Sequence, residues 1–241
     1  MKNHIIFLFL FCTATVSAQV DDSTASMMPP QMAGVLNFPK QFFFFDFTNS
    51  GWLNAPENIK SKLISGGLNI NLFYEFNIVK AKVGIAPGIS YSVSGVKSNS
   101  IYKYEYSTAG SEMVYTDLEP YSDSLFIKSK LSVSYVEIPV EVHIHLKPNS
   151  KKLGFLIAPG FRAGMLVGDF WKLNYHQSIV GADKLKVYGI ENISPFRYGV
   201  SLRLMYYKFG LFGYYQLNHL FEENKGAAVT PYSVGISVSP F

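Results

Sequence analysis

Between Val136 and Leu146 the chain alternates strictly. Val136, Ile138, Val140, Val142, Ile144 and Leu146 are apolar, while Glu137, Glu141, His143 and His145 occupy positions between them. A period of two over this length predicts an extended strand with two unlike faces. The strand spans 134–147, and seven further segments carry the same signature: 41–47, 66–78, 82–95, 153–168, 195–207, 209–220 and 231–241. In 66–78, Leu68, Ile70, Leu72, Tyr74, Phe76 and Ile78 oppose Asn69, Asn71, Glu75 and Asn77. In 82–95, which Lys82 opens, Ile85, Ile89, Tyr91 and Val93 oppose Ala86, Ser90 and Ser92. In 153–168, Phe155, Ile157, Phe161 and Met165 oppose Ala158, Gly160, Arg162 and Gly164. In 195–207, Phe196, Tyr198, Val200, Leu202, Leu204 and Tyr206 oppose Arg197, Ser201 and Arg203.

The connections alternate as well. Those near 79–81, 148–151 and 208–209 are tight, whereas those near 49–64, 98–127, 169–195 and 220–230 are long and polar or aromatic. Short turns on one rim and long links on the other predict an up-and-down antiparallel barrel of about eight strands. The sequence IAPG occurs at 85–88 and again at 157–160, each time early in a strand after a tight turn, which suggests repeated hairpins. Pro87, Pro139 and Pro159 each lack a ladder donor, so bulges are expected there.

The chemistry of the two faces indicates what each meets. The small face is mostly Gly, Ser, Ala and Asn with a few charges, which suits a crowded interior. The other carries Phe, Tyr, Leu, Ile and Val, which lipid tolerates and water does not. The whole chain is 48% hydrophobic and only 16% charged, against about 25% charged for a typical globular domain. Beyond the first residues there is no apolar run of about 18 or more, so the spans are strands rather than helices. The expected fold is all-β, a transmembrane barrel occupying 40–241. A soluble lipocalin-like barrel or sandwich is the competing architecture.

The N-terminus reads as a secretory leader. Lys2 precedes the apolar run Ile5 to Phe11, and Val16-Ser17-Ala18 forms a small-x-small cleavage signature before Gln19. Residues 1–18 are therefore expected to be a signal peptide and 19–39 a flexible periplasmic segment. The sole cysteine, Cys12, lies inside the leader, and Phe9-Leu10-Phe11 before it argues against lipidation. A mature chain without thiol excludes disulfides and thiolate chemistry. The net charge of +4 is scattered without a basic run, so nucleic acid is not an expected partner.

On these faces a polar lumen network is expected from Glu75, Lys82, Glu137, Glu141, His143, His145, Arg162, Arg197 and Arg203. If Lys147 and Lys152 close the turn between their strands, Glu137 falls opposite Arg162. His143 and His145 with Glu141 could ligate a metal, but no third ligand is identifiable from spacing. Neither metal nor cofactor is expected. His176 and His219, with Glu222 and Glu223, are the candidates for hydrolysis at the outer rim, although no spacing specifies a nucleophile. Tyr102, Tyr104, Tyr106, Tyr115 and Tyr121 offer a candidate extracellular binding loop, since tyrosine joins apolar area to a polar tip. The alternative is a hairpin that merely prolongs the strands.

The stretch SYVEIPVEVHIHLKPNSKKLGFLIAPGFRAG resembles the central hairpin of PorT-like outer-membrane β-barrel proteins of Bacteroidota, and RYGVSLRLMYYKFGLFGYYQLNHLFEENKGAAVTPYSVGIS resembles their closing hairpins. The Tyr135-x-Glu137-Ile138-Pro139 core is the specific part. Counted back from Phe241, the alternate positions are Ser239, Ser237, Gly235 and Ser233. The apolar set Val238, Ile236, Val234 and Tyr232 is offset by one from the pattern usual in outer-membrane strands. The resemblance implies an outer-membrane location in a Gram-negative envelope, with lipid and other envelope proteins as partners. The expected function is that of a small non-enzymatic barrel with a side-chain-filled lumen and long extracellular loops for interaction. A PorT-type component of a secretion system and a rim-located hydrolase are the alternatives.

Overall fold

The computed structural model describes residues 40–79, 82–106, 113–121, 126–146, 154–175 and 184–240. The leader, its cleavage site, the segment 19–39, His176 and Phe241 lie outside them. The strands are β1 (Lys40–Leu53), β2 (Gly66–Val79), β3 (Val83–Ser98), β4 (Ser100–Tyr106), β5 (Met113–Pro120), β6 (Phe126–His145), β7 (Phe155–Tyr175), β8 (Lys184–Tyr188), β9 (Phe196–Tyr206), β10 (Phe209–Gln216) and β11 (Thr230–Val238). Hydrogen-bonded order runs β6-β3-β2-β1-β11-β10-β9-β7, and β7 pairs again with β6. Eight antiparallel strands thus close a ring, and they are the eight that the alternation marks. β8 extends the sheet beyond the ring on β7 alone, and β4 with β5 forms a separate hairpin.

Short turns join β2 to β3 and β9 to β10, at the rim where β1 begins and β11 ends; β6 ends and β7 begins at the same rim, and the tight turn expected at 148–151 lies outside the described residues. The β9–β10 turn is closed by Tyr206 opposite Phe209, with Tyr207 at φ 52°. All four long links emerge at the opposite rim. The ladders pass through Pro87, Pro139 and Pro159 without a change of register. The expected proline bulges are therefore absent. A missing donor removes one rung, which the neighbouring rungs tolerate. Register shifts occur instead at Asn77/Val79, Glu105/Tyr106, Phe126/Lys128 and Ser134/Tyr135.

Period two sorts the side chains as the pleat requires. Phe47, Ile78, Ile85, Ile89, Ile138, Phe161, Met165, Leu202, Leu211 and Ile236 are exposed on the outside, and nearly every other outward position between the rims is apolar too. Such a continuous apolar belt far exceeds what a water-soluble monomer presents. Inside, two apolar clusters sit at the ends. Phe42, Phe44, Phe73, Ala86, Leu156, Ala158 and Met205 pack toward the short-turn rim. Trp52, Val96, Leu131, Val133, Tyr135, Trp171, Leu173, Leu220, Phe221 and Val229, with Tyr102 and Leu118 of the hairpin, pack toward the other.

The second cluster forms a cap that knits the long links together. Thr116 of β5 donates its backbone N–H to Lys225 O at 2.9 Å and its hydroxyl to Glu191 O at 3.1 Å, while Asn192 Nδ2 donates to the same hydroxyl at 3.1 Å. Ile193 bridges Phe221, and Ser61 bridges Ser98. Sequence alternation gave no hint of this cap, because its strands are short and its apolar residues come from every link.

Replacing Ile138 or Leu202 with Arg should lower the folded fraction in lipid vesicles, because a cation on the lipid face near midplane costs about 2 to 4 kcal/mol. Glu57→Arg, on an exposed link, should leave it unchanged. Heat-modifiable gel migration reads the folded fraction, and equal tolerance at the three sites would deny that Ile138 and Leu202 face lipid.

Candidate functional site

Between the two apolar clusters the interior carries four carboxylates, Asp46, Glu75, Glu137 and Glu141, and three guanidiniums, Arg162, Arg197 and Arg203, all buried. Each acidic or basic group comes from an inward position of its strand, and neighbouring strands make room for it. A Cβ added at Gly84 would fall 2.6 Å from Glu75 Cγ, and one at Gly160 would fall 2.7 Å from Glu141 Cγ. Glycine on the adjacent strand is what lets a glutamate side chain lie flat inside so narrow a ring.

Arg203 of β9 is the central group. It donates to Asp46 of β1, to Ser237 of β11 and, through Nη2 at 3.2 Å, to Glu141 of β6. His143 continues the chain, with Nε2 3.3 Å from Glu141 and Nδ1 2.8 Å from Glu75, and His145 Nε2 lies 2.9 Å from the same Glu75 oxygen. An ionised carboxylate only accepts, so two ring nitrogens facing two carboxylates need two protons between them. With His143 as imidazolium, the four carboxylates face four cations.

A second group surrounds Glu137. Arg162 Nη2 donates to Glu137 Oε2 at 2.7 Å, and Arg197 Nε donates to Oε1 at 2.8 Å. Arg162 also donates to Ser90 at 2.6 Å and to Asn71 Oδ1 at 3.0 Å. Asn71 Nδ2 donates to Asp46 Oδ2 at 2.9 Å and so joins the two groups into one network. The guanidiniums are faced by aromatic rings: Arg203 by Phe44 at 4.4 Å and Phe212 at 5.0 Å, and Arg197 by Tyr135 at 4.1 Å. Arg162 Nε and Nη1 have no hydrogen-bond partner among the described residues, and the Phe212 and Tyr214 faces lie 5.4 Å and 6.0 Å from its Cζ. Desolvated cations gain more from such rings than exposed ones do.

Glu75, Glu137, Glu141, His143, His145, Arg162, Arg197 and Arg203 come together, whereas Lys82 stands in the β2–β3 turn with its side chain exposed. It lies apart from the network because the strand proper begins one residue later. Glu137 does not sit opposite Arg162: the register sets Glu137 against Gly164 and Pro139 against Arg162, two residues from expectation. A slip of two preserves the face, so the ion pair forms along the diagonal. Asp46 escaped the sequence reading because its run, Phe42 to Phe47, alternates Phe with Phe. The signal was available two residues apart, in Asp46, Thr48 and Ser50. Ser90 and Ser237 were visible only as small residues, not as partners.

Glu75, His143 and His145 offer three ligand atoms within 4.8 Å of one another. Hydrogen bonds among these residues and Glu141 already use both oxygens of Glu75, both ring nitrogens of His143 and Nε2 of His145. Tyr102 and Tyr121 are buried, so neither presents its ring at a surface. Tyr102 packs edge-on against Trp171 at 4.9 Å, and burial, with Tyr104 and Asp169 nearby, pushes its hydroxyl pKa well up. Tyr104 and Tyr115 are half-buried on the hairpin, and the side chain of Tyr106 lies outside the described residues. Glu222 pairs with Lys225 at 2.6 Å, and the His219 side chain makes no hydrogen bond among the described residues.

Residues 37–222 match the outer membrane protein beta-barrel domain family. The chain belongs to this family. Its place is therefore the outer membrane, and the apolar belt faces lipid. No curated protein matches the sequence. Among solved structures, the chain is similar to Ail, the attachment invasion locus protein of Yersinia pestis, solved in complex with the heparin analogue sucrose octasulfate. That likeness has 11% identity and a TM-score of 0.35, covering 84% of this chain and 97% of Ail. A chain described under asymmetric conductivity of engineered proteins gives 10% identity and a TM-score of 0.21, covering 83% of this chain and 99% of its own length. Both scores are low, and the barrel rests on the strand pairing and the family.

Two outcomes test the interior. In a double-mutant cycle on heat stability, Glu137→Gln and Arg162→Met should each cost about 3 to 5 kcal/mol, as expected when one partner of a buried pair is removed. The combined variant should lose clearly less than the two losses added; simple additivity would deny the contact. Separately, Gly160→Val should cost about 1 to 3 kcal/mol by overpacking against Glu141, whereas Gly168→Val, where nothing lies within 4 Å of an added Cβ, should cost much less.

Proposed function

We propose that the protein is a non-enzymatic outer-membrane barrel whose cap faces the cell exterior and serves as a rigid binding platform for another macromolecule. The observation that carries this reading is the combination of a filled interior with a folded cap. Charged groups in the barrel are bonded to one another, and apolar clusters close the barrel above and below them. Barrels of about eight strands leave an interior that side chains fill. The described parts of the long links, tied together by Thr116, Asn192 and the apolar cluster, present a surface with little ordering entropy left to lose on binding. Polar side chains at the hairpin surface, such as the Lys103–Glu119 pair at 2.7 Å, supply contacts that a partner could read.

Long links outward and short turns toward the periplasm follow the rule for bacterial barrels. Export through a leader ending at Ala18 belongs to the same reading. The Tyr135-x-Glu137-Ile138-Pro139 core supports a PorT-like member from a Bacteroidota envelope, with other envelope proteins as the partners to look for first.

The test is a pull-down from native envelopes with the wild type and with Lys103→Glu, whose site is exposed and remote from the barrel network. A partner captured by the wild type and lost by the variant, with heat-modifiable migration unchanged, is the expected result. Undiminished capture would remove the hairpin from the binding surface. Hydrolytic activity abolished by His219→Ala would instead favour an enzyme at the rim.

A further inference from the structure

Four lysines stand in line across four adjacent strands. Lys97 of β3 is the direct partner of Lys130 of β6, Lys130 of Lys172 of β7, and Lys172 of Lys186 of β8. A second row above it reads Lys128, Asn174, Lys184. On β6, β7 and β8 the residues alternating with these, Leu131, Trp171, Leu173 and Val187, pack into the cap. The lysines therefore point outward.

Directly opposed residues in antiparallel strands have Cβ atoms about 4.5 to 5.5 Å apart, and like charges so placed repel. Three such pairs in succession are destabilising unless an anion lies among them. Among the described residues none of these lysines forms an ion pair with a carboxylate. A hollow of about 300 Å³ is lined by Lys128, Lys130, Phe170, Lys172, Asn174 and Lys186. Lys186 Nζ lies 4.0 Å from the Phe170 ring centroid and 4.5 Å from that of Tyr188. These rings hold one ammonium in place while leaving its outer side free.

Position selects the source of the anion. The lysine face continues the outward face of β3, β6 and β7, which lower down carries Tyr91, Val93, Val136, Ile138, Phe161 and Met165. Lys97 follows Val93 by four residues, about 13 Å along a strand and about 10 Å along the barrel axis at ordinary tilt. Val93 is the last apolar outward residue of β3, so on this reckoning Lys97 falls at the level of the headgroups of the surrounding leaflet, and the face looks sideways into them.

We propose that the outward lysine face of β3, β6, β7 and β8 binds the phosphate groups of phosphorylated lipid headgroups in the outer leaflet. Opposed ammonium groups share a phosphate between strands, so the anion cancels the repulsion that the ladder builds in. The placement uses the family's outer-membrane location and is independent of any partner on the cap.

The experiment compares the folded protein in vesicles of phosphatidylcholine alone and of phosphatidylcholine with lipid A. Wild type is set against Lys130→Gln/Lys172→Gln and the charge-preserving Lys130→Arg/Lys172→Arg. Wild type should enrich lipid A in the lipid that co-purifies with it. The Gln pair should bind about 30-fold more weakly, as expected for two lysines near an anionic surface, and the Arg pair should retain binding. Thermal stability should show a crossed sign: the Gln pair is the more stable in phosphatidylcholine, where repulsion is unrelieved, and the less stable with lipid A. Equal lipid A retention by wild type and Gln pair would overturn the proposal. So would a soluble polyphosphate that, at matched phosphate concentration, binds the solubilised protein as tightly as lipid A does and displaces it, since the anion would then come from solution.

Discussion

Every backbone N–H and C=O that meets hydrocarbon must find its partner within the protein, since the bilayer core offers no water to replace one. Closing eight antiparallel strands into a ring meets that demand without leaving an edge. The β6–β7 ladder performs the closure, uniting the end of the strand order that begins at β6 with the end that arrives at β7. Once the ring is closed at this width, the interior must hold side chains and nothing larger. The remaining features follow from how that narrow space is filled.

Filling it with charge is costly unless each charge is balanced on the spot, because attraction and desolvation both grow as water is excluded. Arg203 binding Asp46 and Glu141, and Glu137 held between Arg162 and Arg197, meet that condition; apart from Arg162–Glu137, which joins the consecutive strands β7 and β6, these contacts link strands that are not sequence neighbours. The network thereby crosses the ring in several directions, whereas the backbone ladders act only around its circumference. Aromatic rings above and below the guanidiniums, and glycines beside the glutamates, complete the packing. Apolar clusters at the two rims keep water from the charges.

Above the hydrocarbon the same strands meet a different environment. β3, β6 and β7 run on past the lipid belt, so their inward residues become the floor of the cap and their outward ones become the lysine face. The register shift at Ser134/Tyr135 lies at this transition. Beyond it, on β7, inward positions change from the even numbers of Arg162 and Gly164 to the odd numbers of Trp171 and Leu173. This irregularity thus divides the β6–β7 pair into a part that faces the hydrocarbon and a part that carries the lysines.

Faces were legible in the sequence because period two is a local property: Ile138 is outside and Glu137 inside whatever strand lies next to them. Strand number, the turn at 208–209 and most of the interior charges followed from it. Asp46 did not, since alternating Phe with Phe conceals which face is polar. Pairing could not be read either, because a ladder shifted by two residues leaves every face unchanged, and Glu137 therefore meets Gly164 across the strand with Arg162 on the diagonal. The cap and the lysine row belong wholly to tertiary structure. Lys97, Lys130, Lys172 and Lys186 look scattered along the chain, and only the registers of three successive strand pairs bring them into one line, since adjacency in a sheet is set by hydrogen-bonded pairing and not by distance in sequence.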